Sequence, residues 1–184
     1  LLANLPEKKI FVAIGASFPD KRWPVDNWID FLSPLAADGW GIVLVGHGAE
    51  EESIASQIKN KIQSDYILDL TSKLNFVNMS GVANLCTVAV GNDTGPMHIT
   101  ALSGVPSMVI SDYVLPPEIG YLMPWLLPVT VFGQHDGKTL YKSQRSAETL
   151  RKITGARALD EFVKLLAIDA PVRPCSTIEG DSHE

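Results

Sequence analysis

Cysteine is scarce in this chain. Cys86 and Cys175 are the only two in 184 residues, one in an apolar segment and one in a polar stretch near the end. Two distant thiols make no disulfide framework and fit a reducing compartment. Basic residues are in the minority as well: 15 Lys and Arg against 21 Asp and Glu leave a formal net charge of −6 and a pI near 5.2. A protein that wraps nucleic acid needs a dense basic surface to displace counterions, so that class is excluded and any bound anion must be held locally. No uninterrupted apolar stretch approaches the ~18 residues of a bilayer crossing, and no basic segment followed by an apolar run opens the chain. Neither spanning nor secretion is signalled. Internal repeats and low-complexity blocks are also missing.

What is present describes a folded domain. Hydrophobic residues make up 46 % and charged residues 20 %, close to the globular average. A chain of this length buries roughly 70 % of the surface that its unfolded form exposes. Residue 1 is Leu rather than Met, the start expected of a chain that something precedes. Short runs rich in Val and Ile alternate with stretches of helical period, the pattern of βα units on a parallel sheet. The runs are Ile10 to Ile14, Ile42 to Val45, Tyr66 to Leu70, Thr87 to Val90 and Ser107 to Ile110. Helices are expected from Pro24 to Gly39, kinked near Pro34, from Ala49 to Ile62 and from Leu74 to Leu85, the last with Leu74, Val77, Val82 and Leu85 inward. A fourth begins near Pro96. The whole is an α/β fold, a Rossmann-like open parallel sheet with helices on both faces. Beyond it, Pro116, Pro117, Pro124 and Pro128 read as loop, Val129 to Phe132 and Thr139 to Lys142 as a hairpin about Asp136-Gly137, and Ser146 to Leu166 as one helix. Residues 1–168 form the domain and 169–184 a polar tail.

Ligands of such sheets sit at the carboxyl ends of the strands, so the loops there carry the functional reading. After the first strand, Gly15-Ala16-Ser17 permits close approach of the backbone, and Lys21 with Arg22 stands just before a helix amino end, where free N–H groups favour an anion. That is either a phosphate site or a solvated basic turn with Trp23 packed on the core. After the second strand, Gly46-His47-Gly48 leads into Glu50, Glu51 and Glu52. A carboxylate here can accept both hydroxyls of a ribose, and three acids in a first turn also suit the helix dipole. After the fourth comes Gly91-Asn92-Asp93-Thr94-Gly95-Pro96-Met97-His98. Asp93 or Thr94 can cap the helix that Pro96 opens, and the N–H groups of Thr94 and Gly95 stay accessible. A cationic His98 would oppose the helix dipole unless it is neutral and buried or faces a bound anion.

Other chemistries fail on spacing. Gly133 to Thr139 has three residues between its glycines where a Walker loop needs four, and no Gly-x-Ser-x-Gly elbow occurs. The four histidines, His47, His98, His135 and His183, form no pair at zinc spacing. No Asp-x-Asp pair is available for a divalent ion under a sugar diphosphate. Neither metal nor cofactor is expected, and phosphate charge falls to Lys, backbone amides and helix ends.

Taken in order, Gly15-Ala16-Ser17 with Lys21-Arg22-Trp23-Pro24, Gly46 to Glu52, Asp69-Leu70-Thr71 and Gly91 to His98 resemble the carboxyl-terminal half of the family 9 glycosyltransferases, the ADP-heptose:lipopolysaccharide heptosyltransferases. The resemblance covers roughly Ile10 to Ile110 and, more faintly, the helix near Leu150 to Leu166. It implies a GT-B architecture of two Rossmann-like domains, of which this chain is the nucleotide-sugar-binding one. It also implies a donor site of Gly15, Ser17, Lys21, Glu50, Asp93, Thr94, Gly95 and His98: Lys21 on the diphosphate and stabilising the leaving group, Glu50 on the ribose, Asp93 on the sugar, the amides about Thr94 and Gly95 with His98 around phosphate. The base of the family lies in the other domain, so this chain is expected to bind nucleotide and hardly turn it over. A cytoplasmic enzyme follows, at most peripheral at the inner membrane, with a lipid-linked saccharide acceptor and no nucleic acid partner. The chain departs from the family at Ser72, where Gly is usual, and in Ser111 to Pro117, the loop after the fifth strand. A nucleotide-sugar 2-epimerase of similar fold and a non-catalytic nucleotide-binding module are the rival readings.

Overall fold

In the computed structural model, the structure describes residues 2–111, the strand at 126–130 and residues 150–167. Five strands form where the apolar runs lie: β1 Lys9–Ala13, β2 Gly41–Val45, β3 Ile67–Asp69, β4 Val88–Asn92 and β5 Ser107–Ser111. A sixth, β6 Leu126–Thr130, follows. They pair in parallel as one sheet in the order β3-β2-β1-β4-β5-β6. The chain builds outward from β1 in one direction and returns to continue from β4 in the other. The crevice where ligands of such sheets bind therefore lies beyond the carboxyl ends of β1 and β4. Register sharpens this: Ala13 stands opposite both Val45 and Gly91, so β1, β2 and β4 release their loops along one rim.

Alternation along the strands feeds two cores. Ile10, Val12 and Ile14 face one side with Ile42, Leu44, Val88 and Val90; there α1 Val25–Ala37, α2 Ala49–Ile62 and α5 Gly155–Leu166 supply Trp28, Phe31, Ile58 and Phe162. Phe11, Ala13, Val43 and Val45 face the other side, covered by α3 Phe76–Asn84 and α4 Gly95–Leu102 through Met79, Ala83, Met97 and Ala101. Burial on both faces is why these strands read as continuous apolar runs. The first core is rich in aromatics that meet edge to face, Trp23 on Trp28 at 4.7 Å and Phe31 on Phe162 at 5.6 Å between ring centroids.

Three expectations are corrected. The proline-rich stretch does not stay loop up to Pro128, and Val129 lies in a parallel strand: β6 runs alongside β5 with Pro128 opposite Val109. Pro128 is tolerated because β6 is the last strand, with no further partner in the sheet as described. The segment proposed to pair with it, 139–142, lies outside the described residues, as does the tail 169–184. Second, α3 starts two residues late, fixed by Asn75, whose side chain accepts from the Asn78 N–H at 2.8 Å. Met79 and Ala83 are its buried positions, and Leu74 and Val82 pack partly buried against the same core as expected, while Val77 is 80 % exposed and Leu85 is exposed too. Third, the helix expected from Ser146 to Leu166 is interrupted before Thr154. Thr154 caps α5, and the Ile153 carbonyl is turned aside to accept from Trp23 Nε1 at 2.7 Å and Asn27 Nδ2 at 2.9 Å. No helix among the described residues is long and apolar enough to cross a membrane.

Candidate functional site

The loop after β1 is pinned at its far end by a buried aromatic. Pro19–Lys21 form a single 3-10 turn, and the chain then extends into Trp23, whose indole is held by the Ile153 carbonyl. Trp23 does pack on the core, and in doing so it holds the two preceding cations at the rim. Arg22 folds back, its Nε donating to the Ala16 carbonyl at 3.1 Å and its guanidinium pairing with Glu50. Lys21 reaches across to the next loop, where its Nζ donates to Asp93 Oδ2 at 3.1 Å.

Two adjacent acids diverge at the start of α2. Glu50 is 64 % exposed and turns to Arg22. Glu51 is 8 % exposed and bends back, its Oε2 accepting from the His47 N–H at 2.6 Å. With Gly48 at the N-cap, Glu51 stands at the third helical position, where a carboxylate reaches the unbonded N–H groups of the helix start. Gly15 and Gly46 make room for it: a Cβ at either would overlap its carboxylate. Ser72 completes this loop. It holds the left-handed backbone conformation, φ 57°, that glycine adopts freely, and its hydroxyl accepts from the Gly48 N–H at 2.9 Å.

On the β4 side Asp93 sits between two cationic or titratable groups, Lys21 on Oδ2 and His98 Nε2 at 3.8 Å from Oδ1. His98 is partly exposed and directed at a carboxylate, so it is neither the buried neutral ring nor a lone cation on the dipole. Thr94 occupies the N-cap position of α4 without making a capping bond, and its Oγ1 is buried with no hydrogen-bond partner. No acidic residue stands in the first turn of α4. The amino end of α4 therefore keeps its positive partial charge facing the rim.

Between these loops lies a cleft of about 350 Å³. Its floor is apolar, made by Ala13, Val45 and Met79, the exposed Phe76 adds an apolar wall at the mouth, and the rest of the lining is polar, with Gly15, Ser17, Arg22, Glu51, Thr94 and Gly95. An apolar floor with a few convergent polar groups is the common form of a small-molecule site. Among the described residues no group of three His, Cys, Asp or Glu side chains is placed to hold a metal ion.

Residues 2–150 match the family model described as Glycosyltransferase family 9 (heptosyltransferase). The chain belongs to glycosyltransferase family 9. Among curated proteins it is 26 % identical over 162 residues to lipooligosaccharide heptosyltransferase 2 of Haemophilus influenzae, covering 83 % of this chain and 46 % of that protein. Among solved structures it superposes on the ADP-heptose lipopolysaccharide heptosyltransferase II of Escherichia coli with a TM-score of 0.72 at 23 % identity, covering 88 % of this chain and 47 % of the other. An E. coli heptosyltransferase solved with ADP gives 0.68 at 22 % identity, covering 90 % and 47 %. The chain thus spans about half the length of the relatives that it matches, and the Rossmann-like fold is shared with them.

For this family 9 chain the sequence-derived site divides into three groups. Gly15, Ser17, Thr94 and Gly95 line the cleft. Lys21, Asp93 and His98 are brought together beside it by the contacts above. Glu50 stands outside the cleft wall, engaged with Arg22, whereas the neighbouring Glu51 forms part of that wall. Sequence reasoning missed Glu51, Met79 and Phe76. The third-position rule for helix starts singles out Glu51 once Gly48 is recognised as the N-cap. Nothing in the spacing distinguishes Met79 and Phe76 from ordinary helix positions.

Proposed function

We propose that this chain is the donor-binding half of a heptosyltransferase, taking ADP-heptose and, within the complete enzyme, passing the heptose to a lipopolysaccharide core. The observation that carries the reading is one cleft with an apolar floor, lined by Arg22 and by Thr94 and Gly95 at the open amino end of α4, with Lys21 held beside it by Asp93. Amides and a lysine suit a diphosphate; Met79, Phe76 and Val45 suit the flat face of a base. A relative of the same fold is described as solved with ADP, and the curated relatives are named as heptosyltransferases.

On this reading the two halves of the enzyme divide the reaction between them. A base from the other half of the enzyme takes the proton of an acceptor hydroxyl, whose oxygen attacks the anomeric carbon from the face opposite ADP, with inversion. Negative charge grows on the departing diphosphate. The amino end of α4 stands preorganised to stabilise that charge, and Lys21 joins it on leaving Asp93, the work that a divalent ion does elsewhere. Asp93, already paired to Lys21, would turn to hydroxyls of the sugar, and an acid at the start of α2, Glu50 or Glu51, would accept from the ribose. On this reading the acceptor is lipid-linked, and the complete enzyme meets it at the inner face of the inner membrane. Calorimetric titration of the 184-residue chain with ADP in the presence of a chelator tests the metal-free part. Binding of the same strength with chelator or with added magnesium is expected; binding that appears only with magnesium would overturn it.

A further inference from the structure

Asn92, at the end of β4, is fully buried and does not itself line the cleft. Its amide nevertheless joins three segments. Nδ2 donates to the Ile14 carbonyl at 2.8 Å and the Gly15 carbonyl at 3.2 Å, and Oδ1 accepts from the Trp23 N–H at 3.0 Å. The partners fix the orientation of the amide, because a carbonyl only accepts and an N–H only donates. Two donors and one acceptor in one short planar group is what an Asn side chain offers. Asp would set a carboxylate against two carbonyl oxygens, and Ser has a single hydrogen to give.

These three bonds lie at the switch point of the sheet, between the ends of β1 and β4. One fixes the backbone two residues after Lys21; two fix the start of the loop that carries Lys21; and Asp93 is the next residue in the chain. Both members of the Lys21–Asp93 pair are thus referred to the same amide, although 72 positions separate them in sequence. We infer that Asn92 is a positioning residue for the donor site, setting the distance between Lys21 and Asp93 without itself meeting a ligand. Other ties keep the fold when it is lost: β1 and β4 remain paired from Ile10 to Ala13, and the Trp23 indole remains on Ile153.

The decisive experiment is a double-mutant cycle on stability, which needs no ligand. Lys21→Ala, Asp93→Asn and the double variant are unfolded in denaturant, once with Asn92 and once with Asn92→Ser. The two substitutions are expected to be non-additive in the parent chain and additive after Asn92→Ser. Equal coupling in both backgrounds, or none in the parent, overturns the inference. Asn27→Ala serves as control, since it removes a bond near the Trp23 anchor and should lower the midpoint while leaving the coupling intact. If Asn92→Ser does not fold, Asn92→Asp, which keeps the acceptor for Trp23 and loses both donors, runs the same cycle with the same two outcomes. A second arm rests on the ADP reading: Asn92→Ser should weaken ADP by about tenfold in the parent and by less than about twofold once Lys21 is Ala. A parent that binds no ADP would sink that reading, while the stability cycle still decides the role of Asn92.

Discussion

Lys21 gives its charge to Asp93 in this structure, across 3.1 Å in a partly buried setting, so an incoming diphosphate has to compete with a carboxylate for it. Two substitutions separate the partners. Lys21→Ala is expected to weaken ADP by ~1.5 to 3 kcal/mol, the scale of a charge-assisted hydrogen bond. Calorimetry showing unchanged affinity in a folded variant would remove Lys21 from the phosphate site. Asp93→Asn should leave ADP bound at least as tightly, because it removes a competing carboxylate charge from Lys21; a weaker complex would contradict the competition. The glycine floor gives a third test. Gly15→Ala should cost about 1 to 3 kcal/mol in thermal unfolding through overlap with the Glu51 carboxylate, and most of that cost should vanish beside Glu51→Ala. Equal cost in both backgrounds would mean that Glu51 does not occupy the space beside Gly15. At this scale the sequence was informative where a residue type alone decides, as at Gly15, Thr94 and Gly95. It named Glu50 and passed over Glu51, whose place depends on the space that Gly15 and Gly46, far apart in sequence, leave together.

Elements were legible in proportion to how local their causes are. β1 to β5 lie within two residues of the Val- and Ile-rich runs because burial on both faces demands such runs. The β6 strand was not legible, because two prolines stand in or beside it and only its place beside β5 makes it a strand. The break before α5 was hidden for a similar reason: the Ile153 carbonyl serves Trp23 and Asn27, more than 120 positions away. Two predictions belong to helices. α2 ends at Gln63, which is left-handed at φ 53° and exposed, so Gln63→Gly should stabilise the chain by about 0.5 to 1 kcal/mol in a denaturant midpoint; destabilisation would refute the strain. Phe162 ties α5 to Phe31 and Trp40 through ring contacts at 5.6 and 5.4 Å. Phe162→Ala should cost about 3 to 5 kcal/mol, and a loss below about 1 kcal/mol would show that α5 is not part of the core.

The described residues form one doubly wound sheet whose loops at β1, β2 and β4 surround a cleft, and the chain corresponds to about half of the family 9 relatives that it matches. Fold alone does not choose the nucleotide, since an epimerase using UDP could employ a similar sheet. What chooses is the chemistry of the cleft, and preferential binding to the folded state makes it measurable as a rise in melting temperature. The most direct measurement is therefore thermal unfolding of the 184-residue chain with ADP, UDP and GDP, each from zero to well above its dissociation constant. ADP at a hundredfold excess over that constant should raise the midpoint by roughly 5 to 10 °C, and UDP and GDP at the same concentration by clearly less. Equal shifts with all three, or no shift with ADP, would contradict a cleft built to hold the adenosine diphosphate of a sugar donor.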